Sequence, residues 1–164
     1  MAKSSKNKKI EPDQYGVLPF RVSDDGLQVL MVTSRRSKRW IIPKGWPMKG
    51  RTALGAAVRE GFEEAGIYGQ GLKPSLGVFR YAKRMNFGRS TSLRIEVFPM
   101  AVTELLENWP ERDERERRWM TVDEAAEAVP EPDLKAIILA LPERLEAEGA
   151  KDASPDDKAE ASAH

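Results

Sequence analysis

Cysteine is absent from the 164 residues, which excludes disulfide bonds, thiolate nucleophiles and zinc–thiolate centres. Histidine occurs once, as the final residue His164. A histidine general base and a histidine metal site are therefore both disfavoured. Any chemistry must come from carboxylates, Lys, Arg, Ser, Thr, Tyr or backbone groups, together with a bound metal ion where one is needed.

Long apolar runs are also absent, since none reaches the roughly 18 residues that a membrane span needs. The N-terminal stretch MAKSSKNKKI is basic, but no apolar segment follows it, so it does not read as a secretory signal. The net charge is only +1, although charged residues make up 32% of the chain. This composition predicts a cytoplasmic protein without membrane contact, and it disfavours a nucleic-acid partner.

The length predicts one domain. Residues 1–12 are polar and basic, and residues 149–164 are rich in Ala, Asp, Lys and Ser without periodicity. Both stretches are expected to be disordered tails. The single domain is therefore predicted to occupy residues 13–148.

Strand and helix patterns alternate within this domain. The first two strands form a predicted hairpin around Asp24-Asp25-Gly26, and the first helix is predicted to begin after Thr52 and to stop at Gly66. Its apolar stripe consists of Leu54, Ala57, Val58 and Phe62. Strands are predicted at 14–22, 27–34, 39–45, 72–82, 92–102 and 117–122, and helices at 52–65, 123–129 and 133–148, the last interrupted near Pro142. Interleaved strands and helices on a mixed sheet predict an α/β (α+β) sandwich.

The segment REGFEEAG (59–66) concentrates carboxylates on one helix. Glu60 and Glu64 lie one turn apart on the same face, with Glu63 beside them, and like charges at this spacing are destabilising by a few tenths of a kcal/mol per pair. One interpretation is a solvated helix face on which Arg59 pairs with Glu63. The other is a divalent-cation site, because Mg²⁺ prefers hard oxygen ligands and commonly takes one or two carboxylates together with substrate phosphates.

The wider segment GWPMKGRTALGAAVREGFEEAGI (45–67) resembles the signature of the Nudix hydrolases, which favours the cation site. Seven fixed positions fall in register, namely Gly45, Arg59, Glu60, Glu63, Glu64, Gly66 and Ile67. Two positions depart from the pattern. Arg51 stands where the signature has glutamate, and Gly61 stands where it has an aliphatic residue.

The similarity covers roughly residues 15–130, and its layout resembles the branch of diphosphoinositol polyphosphate and diadenosine polyphosphate phosphohydrolases. It implies a Nudix-type α/β/α sandwich with a mixed sheet, and hydrolysis of phosphoanhydride bonds with Mg²⁺ or Mn²⁺. By position it implies that Glu60, Glu64 and the Lys44 backbone carbonyl are metal ligands. Glu63 is then a further ligand or the catalytic base, and Arg59 holds Glu63 or Glu60 in place. Which glutamate is the base stays open.

Basic residues flank this segment and indicate a substrate with many phosphates. The predicted substrate contacts are Arg35, Arg36, Arg39, Lys44, Arg84, Arg89 and Arg115. Arg51 either adds a contact to a polyphosphate chain or points to solvent.

Three other functions stay open at this stage. The same signature serves enzymes that act on RNA 5′ ends or on nucleoside-diphosphate derivatives, and a catalytically dead Nudix fold can sense a ligand. The intact glutamates count against the sensor, because it has no need for three mutually repelling carboxylates. The sequence does not decide whether the protein forms a homodimer.

Overall fold

The computed structural model describes residues 11–84 and 88–151. Within them lie eight strands: β1 (Gln14–Ser23), β2 (Gly26–Thr33), β3 (Trp40–Ile41), β4 (Lys44–Gly45), β5 (Ile67–Gly71), β6 (Gly77–Arg84), β7 (Ser90–Leu105) and β8 (Arg117–Thr121). Three helices accompany them: α1 (Ala53–Ala65), α2 (Val122–Ala128) and α3 (Pro132–Lys151).

The strands form one mixed sheet with the main order β3-β2-β1-β7-β5. β1 runs parallel to β7 and antiparallel to β2 and β4. The long strand β7 also pairs with β6 through its first half and with β5 through its second half. The predicted fold class, an α+β arrangement on a mixed sheet, is therefore confirmed.

Helix α1 lies against β1, β5 and β7. Gly61 makes this close approach possible, since a Cβ there would come within 3.3 Å of Ile67, Met100 and Val17. Glycine at position 61, where the signature has an aliphatic residue, is therefore explained by the close packing of α1 on the sheet. On β1, Val17 and its neighbour Leu18 are both fully buried, and successive strand residues point to opposite faces, so the sheet is covered on both sides.

Three element predictions need correction. The predicted strand at 39–45 is divided into the two-residue strands β3 and β4, and the region at 67–84 contains two strands, of which β5 was missed. Helix α3 continues through Pro142 instead of breaking there. A proline inside a helix costs about 3 kcal/mol, and the full burial of Leu134, Ile138 and Leu141, at about 1.5–3 kcal/mol each, offsets it.

The predicted apolar stripe of α1 is right only in part. Ala57 is buried with Ala56, Gly61 and Ala65, because small residues let the helix approach the sheet. Leu54, Val58 and Phe62 are instead half-buried and border a groove. The predicted tails at 1–12 and 149–164 fall almost wholly outside the described residues. Among the residues that are described, no helix combines the length and apolar character of a membrane span.

Candidate active site

Both ends of α1 are fixed by local chemistry, as predicted. The Thr52 hydroxyl accepts the Gly55 N–H at 3.0 Å, and Gly66 adopts a left-handed conformation with φ 66°. The Gly66 N–H donates to the carbonyls of Gly61 and Phe62. The Trp109 indole N–H donates to the Glu64 carbonyl at 3.1 Å, so the loop before β8 closes over the C-terminal end of the helix.

Glu60 lies directly against β4. A Cβ on Gly45 would overlap with the Glu60 carboxylate, so only glycine leaves room for this side chain. Among the described residues, the Glu60 carboxylate has no hydrogen bond or ion pair. Burial, reinforced by the carboxylates of Glu63 and Glu111, raises the pKa of Glu60 to about 7.

Glu64 is the buried carboxylate of the site, with only 7% of its surface exposed. Its Oε1 accepts the Lys44 backbone N–H at 3.3 Å, and its Oε2 lies 3.4 Å from Arg115 Nη2. Burial raises the pKa of Glu64 to about 8, although the positive charges of Arg115 and Lys44 act in the opposite direction.

Arg59 contacts Glu63 and not Glu60. Its Nε donates to Glu63 Oε2 at 2.8 Å, and both side chains are partly exposed. Of the two alternatives predicted for the partner of Arg59, this contact is with Glu63. Glu63 is held at the edge of the site, between the other two carboxylates and the solvent-facing side of α1.

Arg115 joins the predicted site residues from the loop between β7 and β8. Its side chain is 9% exposed, and all three nitrogens are engaged: Nη2 faces Glu64, Nε lies 2.7 Å from Glu111 Oε1, and Nη1 donates to the Thr33 carbonyl at 3.1 Å. Glu111 was missed by the sequence reasoning. It sits in the charged run ERDERERR, where no local pattern distinguishes it, yet its charge acts on both Glu60 and Glu64.

Comparison with known proteins decides the family. A family model described as NUDIX domain matches residues 12–140. The chain belongs to the Nudix family.

Two curated relatives show the same relationship. Nudix hydrolase 12, mitochondrial, of Arabidopsis thaliana is 42% identical over 128 residues, which cover 68% of this chain and 63% of that protein. Diphosphoinositol polyphosphate phosphohydrolase 3-alpha of Mus musculus is 37% identical over 110 residues, which cover 66% of this chain and 63% of that protein. The chain thus spans less than two thirds of the length of either relative. The predicted assignment to the Nudix hydrolases is confirmed.

A solved structure agrees on the fold. The crystal structure of a C. elegans Ap4A hydrolase binary complex matches with a TM-score of 0.62 and 16% identity, over 84% of this chain and 99% of that chain. At this identity the likeness shows the fold alone. It confirms the Nudix fold, and the Mus musculus relative is named for the diphosphoinositol polyphosphate branch.

The predicted substrate contacts of this Nudix domain fall into separate places. The Lys44 ammonium lies 4.2 Å and the Arg39 guanidinium 5.5 Å from the centre of the Tyr81 ring, and the charge of Lys44 acts on Glu60 and Glu64. Arg39 also faces Glu131, and Arg35 faces Glu114. Arg36 and Arg89 are exposed, and the Arg84 side chain lies outside the described residues. Arg115 is buried among carboxylates, so its contacts favour a positioning role over direct contact with substrate.

The side chains on this face of α1 suit a hard divalent cation, because Glu60, Glu63 and Glu64 all offer carboxylate oxygens as ligands. Within residues 11–84 and 88–151, however, no three acidic side chains converge closely enough to hold a metal ion. Arginines explain this spacing, since Arg59 holds Glu63 and Arg115 holds Glu64. The metal set of Glu60, Glu63, Glu64 and the Lys44 carbonyl stays a prediction, with Glu60 as the unpaired carboxylate.

Arg51 lies away from these carboxylates. It is exposed and lines a groove on the other side of α1, together with Leu54 and Val58. The described geometry gives Arg51 no contact with the candidate active site.

The raised carboxyl pKa values predict how the stability of the metal-free protein depends on pH. In the folded state the pKa is about 7 for Glu60 and about 8 for Glu64, whereas the ordinary pKa of a glutamate is 4.5. The folded state therefore holds more protons in this window, and stability must fall as pH rises through it. Burial lowers the pKa of Lys44 to about 8, so above pH 8 its titration acts in the opposite direction.

Urea unfolding at several pH values, with a chelator present, measures this effect. The free energy of unfolding is expected to decline from about pH 5 to pH 8, and Glu64→Gln should flatten the decline. The control is Glu107→Gln, which removes an exposed carboxylate. A wild-type stability that rises over the same window would contradict the assigned burial of these carboxylates.

Gly45→Ala is predicted to displace Glu60 without unfolding the protein. The added methyl group overlaps with the carboxylate, and the partly exposed Glu60 side chain can rotate away. We expect turnover to fall by at least about tenfold, since a misplaced group of this kind can cost up to about 100-fold. Gly61→Ala is the matched control, because its methyl group meets core side chains instead of Glu60. Equal activity losses in both variants would refute the specific role of Gly45.

Proposed function

We propose that this Nudix protein hydrolyses phosphoanhydride bonds in a polyphosphorylated small molecule, a dinucleoside polyphosphate or a diphosphoinositol polyphosphate. The observation that carries the proposal is the half-buried, unpaired carboxylate of Glu60, one helical turn from the buried Glu64. Two desolvated carboxylates on one helix face are unfavourable in isolation. A function that uses their oxygens explains why the chain carries them.

Glu60, Glu63 and Glu64, with the Lys44 carbonyl, would hold Mg²⁺ or Mn²⁺. The ion would supply charge neutralisation on the phosphates and Lewis-acid activation of water. The chain's own residues position these groups. Arg115 fixes Glu64 through a buried ion pair, and Arg59 restrains Glu63 through a charge-assisted hydrogen bond.

Proton transfer belongs to Glu60 or Glu63 in this proposal. Burial raises the pKa of Glu60 to about 7 in the metal-free protein, and a divalent cation on this carboxylate would lower it, so Glu60 can serve as the base only where the cation leaves it free. Glu63 is the alternative base, and it would have to loosen its contact with Arg59. Both residues, with Arg59, keep the catalytic assignment made from the sequence.

Cations beside the carboxylates support a substrate with several phosphates. Lys44 and Arg39 gather around Tyr81, and the Lys83 ammonium lies 5.4 Å from the exposed ring of Trp46. Arg35, Arg36, Arg84 and Arg89 are proposed as outer contacts, where longer polyphosphate chains would reach. These positive charges would attract a polyanion and compensate its charge during binding.

A phosphate-release panel with Mg²⁺ tests this function. Its substrates are dinucleoside polyphosphates, diphosphoinositol polyphosphates, ADP-ribose and 5′-triphosphorylated RNA. We expect the fastest turnover on one of the first two classes. Fastest turnover of RNA would support an RNA 5′-pyrophosphohydrolase, and fastest turnover of ADP-ribose would support a hydrolase of nucleoside-diphosphate derivatives. Binding without turnover of any substrate would support a ligand sensor.

A cytoplasmic location and action without membrane contact stay part of the proposal. The Arabidopsis relative carries the word mitochondrial in its name, so the cellular location needs its own test by fractionation with the full chain. Assembly as a homodimer also stays open, and sedimentation at several protein concentrations would decide it.

A further inference from the structure

A groove of about 500 Å³ lies behind α1, between this helix and β5. We call it the rear groove, and its walls are formed by Leu54, Val58 and Phe62 of α1 and by Tyr68 of β5, with Arg51 and Lys73 also lining it. Helix residues two positions apart point about 200° apart around the axis. Val58 and Phe62 therefore face away from Glu60 and Glu64, which separates the rear groove from the candidate active site.

The side chains that line the rear groove carry positive charge only. Arg51, Arg59 and Lys73 are among them, and none of the lining residues is acidic. Within the described parts of the chain, Arg51 and Lys73 take part in no ion pair, whereas Arg59 pairs with Glu63. Arginine at position 51, where the signature has glutamate, thus removes the acidic charge that this rim would otherwise hold. The lining residues therefore carry net positive charge, which attracts anions, and the acidic side chain paired with this lining is Glu104, opposite Tyr68 on β7.

The rear groove also offers an aromatic surface next to these charges. Tyr68 is 48% exposed, which is high for so large a side chain. It stacks on Phe62 with ring centres 5.5 Å apart and planes 3° apart, so one of its faces packs against a neighbouring ring. A half-exposed aromatic ring beside two unpaired cations suits a ligand that has an anionic group and an apolar or planar part.

We propose that the rear groove binds a small phosphorylated anion. Arg51 and Lys73 would contact the phosphate oxygens, because Arg and Lys are the side chains that bind phosphate through charge-assisted hydrogen bonds. Leu54, Val58 and Tyr68 would pack against the remainder of the ligand. Ligand binding at this site does not rest on the proposed hydrolase activity, since none of these five side chains contacts the carboxylates.

Arg59 couples the rear groove to the active-site side of α1. Its guanidinium lies 4.7 Å from the Phe62 ring centre, while its Nε donates to Glu63. A phosphate in the groove would draw this guanidinium toward the groove, and we expect it to weaken the contact between Arg59 Nε and Glu63. By reciprocity, a ligand that draws Glu63 away from Arg59 would then strengthen anion binding in the groove.

Titration followed by two-dimensional ¹H–¹⁵N NMR of the full chain tests the proposal. Gly55, Gly69 and Gly71 line the groove, whereas Gly45 lies under Glu60, so glycine amides report the two sides of α1 separately. The probes are AMP and inorganic tripolyphosphate, added with a chelator so that no divalent ion and no turnover contribute. The result is thereby independent of whether the protein is a hydrolase.

The expected result is a saturable shift of the three groove glycines, with a dissociation constant of about 1 mM or tighter. Binding of both probes means that phosphate chemistry suffices, and binding of AMP alone means that the ring contact is required. The Arg59 Nε–H resonance should move with the glycines. A fixed Arg59 resonance would overturn the coupling to Glu63.

The double variant Arg51→Gln/Lys73→Gln should weaken this binding at least about tenfold. Arg80→Gln/Arg112→Gln removes the same charge from exposed positions outside the groove and should leave the affinity unchanged. The proposal is overturned if only Gly45 shifts, if the groove glycines fail to saturate, or if their shifts survive in the first double variant. All substituted side chains are exposed, so both variants are expected to fold.

Discussion

Glu64→Gln is expected to lower turnover by about 100-fold or more at saturating Mg²⁺, while the protein stays folded. Glutamine keeps the size of the side chain, and its amide oxygen can still accept the Lys44 N–H. The charge is lost, and with it the strongest attraction that this buried position offers to a cation. Removing a single electrostatic stabiliser of a transition state typically costs about 10²–10³ in turnover.

The same substitution should not reduce thermal stability in the metal-free protein at neutral pH. A buried carboxylate is costly, and burial already raises the pKa of Glu64 to about 8. A neutral amide avoids that cost, although Arg115 then loses part of its pairing. Glu107→Gln, in the exposed part of the loop before β8, is the activity control. A loss of activity that is accompanied by unfolding would mean that Glu64 acts only as a structural residue.

Arg115→Met is expected to destabilise the protein by about 3–5 kcal/mol, because it leaves two partly or fully buried carboxylates without their cation. Glu64 and Glu111 both face Arg115, and the Thr33 carbonyl loses a donor as well. Urea unfolding above pH 8, where the Glu64 carboxylate of the wild type is ionised, measures the change. In a chain of this length it corresponds to a melting temperature about 6–20 °C lower.

Two further variants separate the lost charge from the lost packing. Combining Arg115→Met with Glu64→Gln should recover part of the stability, since one of the stranded charges is then removed. Arg112→Met removes an exposed arginine whose hydrogen-bond partner is Asn108. It should change the free energy of unfolding only slightly. If Arg115→Met and Arg112→Met cost the same, the buried ion-pair network has no part in holding the site together.

Local chemistry made α1 and its acidic face predictable from the sequence. Thr52 and Gly66 mark the helix ends, and the i,i+4 spacing places Glu60 beside Glu64 and Arg59 beside Glu63. The hairpin of β1 and β2 was equally accessible, because a turn signal separates two β-rich runs. These features depend on residues within a few positions of one another.

Features that depend on distant contacts could not be predicted in this way. Arg115 and Glu111 reach the site through the loop that Trp109 fastens to the end of α1, and nothing in their local sequence indicates that path. β5 was missed because its short sequence IYGQG is rich in glycine. Gly69 is required there, since a Cβ would overlap with the Ala101 carbonyl of β7. Helix α3 likewise continues through Pro142 because its apolar side chains are buried against distant parts of the chain, including β6.

Departures from the family signature were visible in the sequence, but their consequences were not. Gly61 allows α1 to approach Val17 and Met100, which depends on strands far away in the chain. The sequence allowed two positions for the Arg51 side chain, facing the substrate or facing the solvent. Its place in the rear groove follows from how α1 packs on β5.

The central claim is that the carboxylates on one face of α1 form a divalent-cation site, and Mn²⁺ binding tests it most directly. Free Mn²⁺ is measured by electron paramagnetic resonance during titration of the wild type, Glu60→Gln and Glu107→Gln, without substrate. We expect saturable binding to the wild type, affinity lowered by at least about tenfold in Glu60→Gln, and no change in Glu107→Gln. Equal Mn²⁺ affinity in all three proteins, or no binding to the wild type, would contradict it.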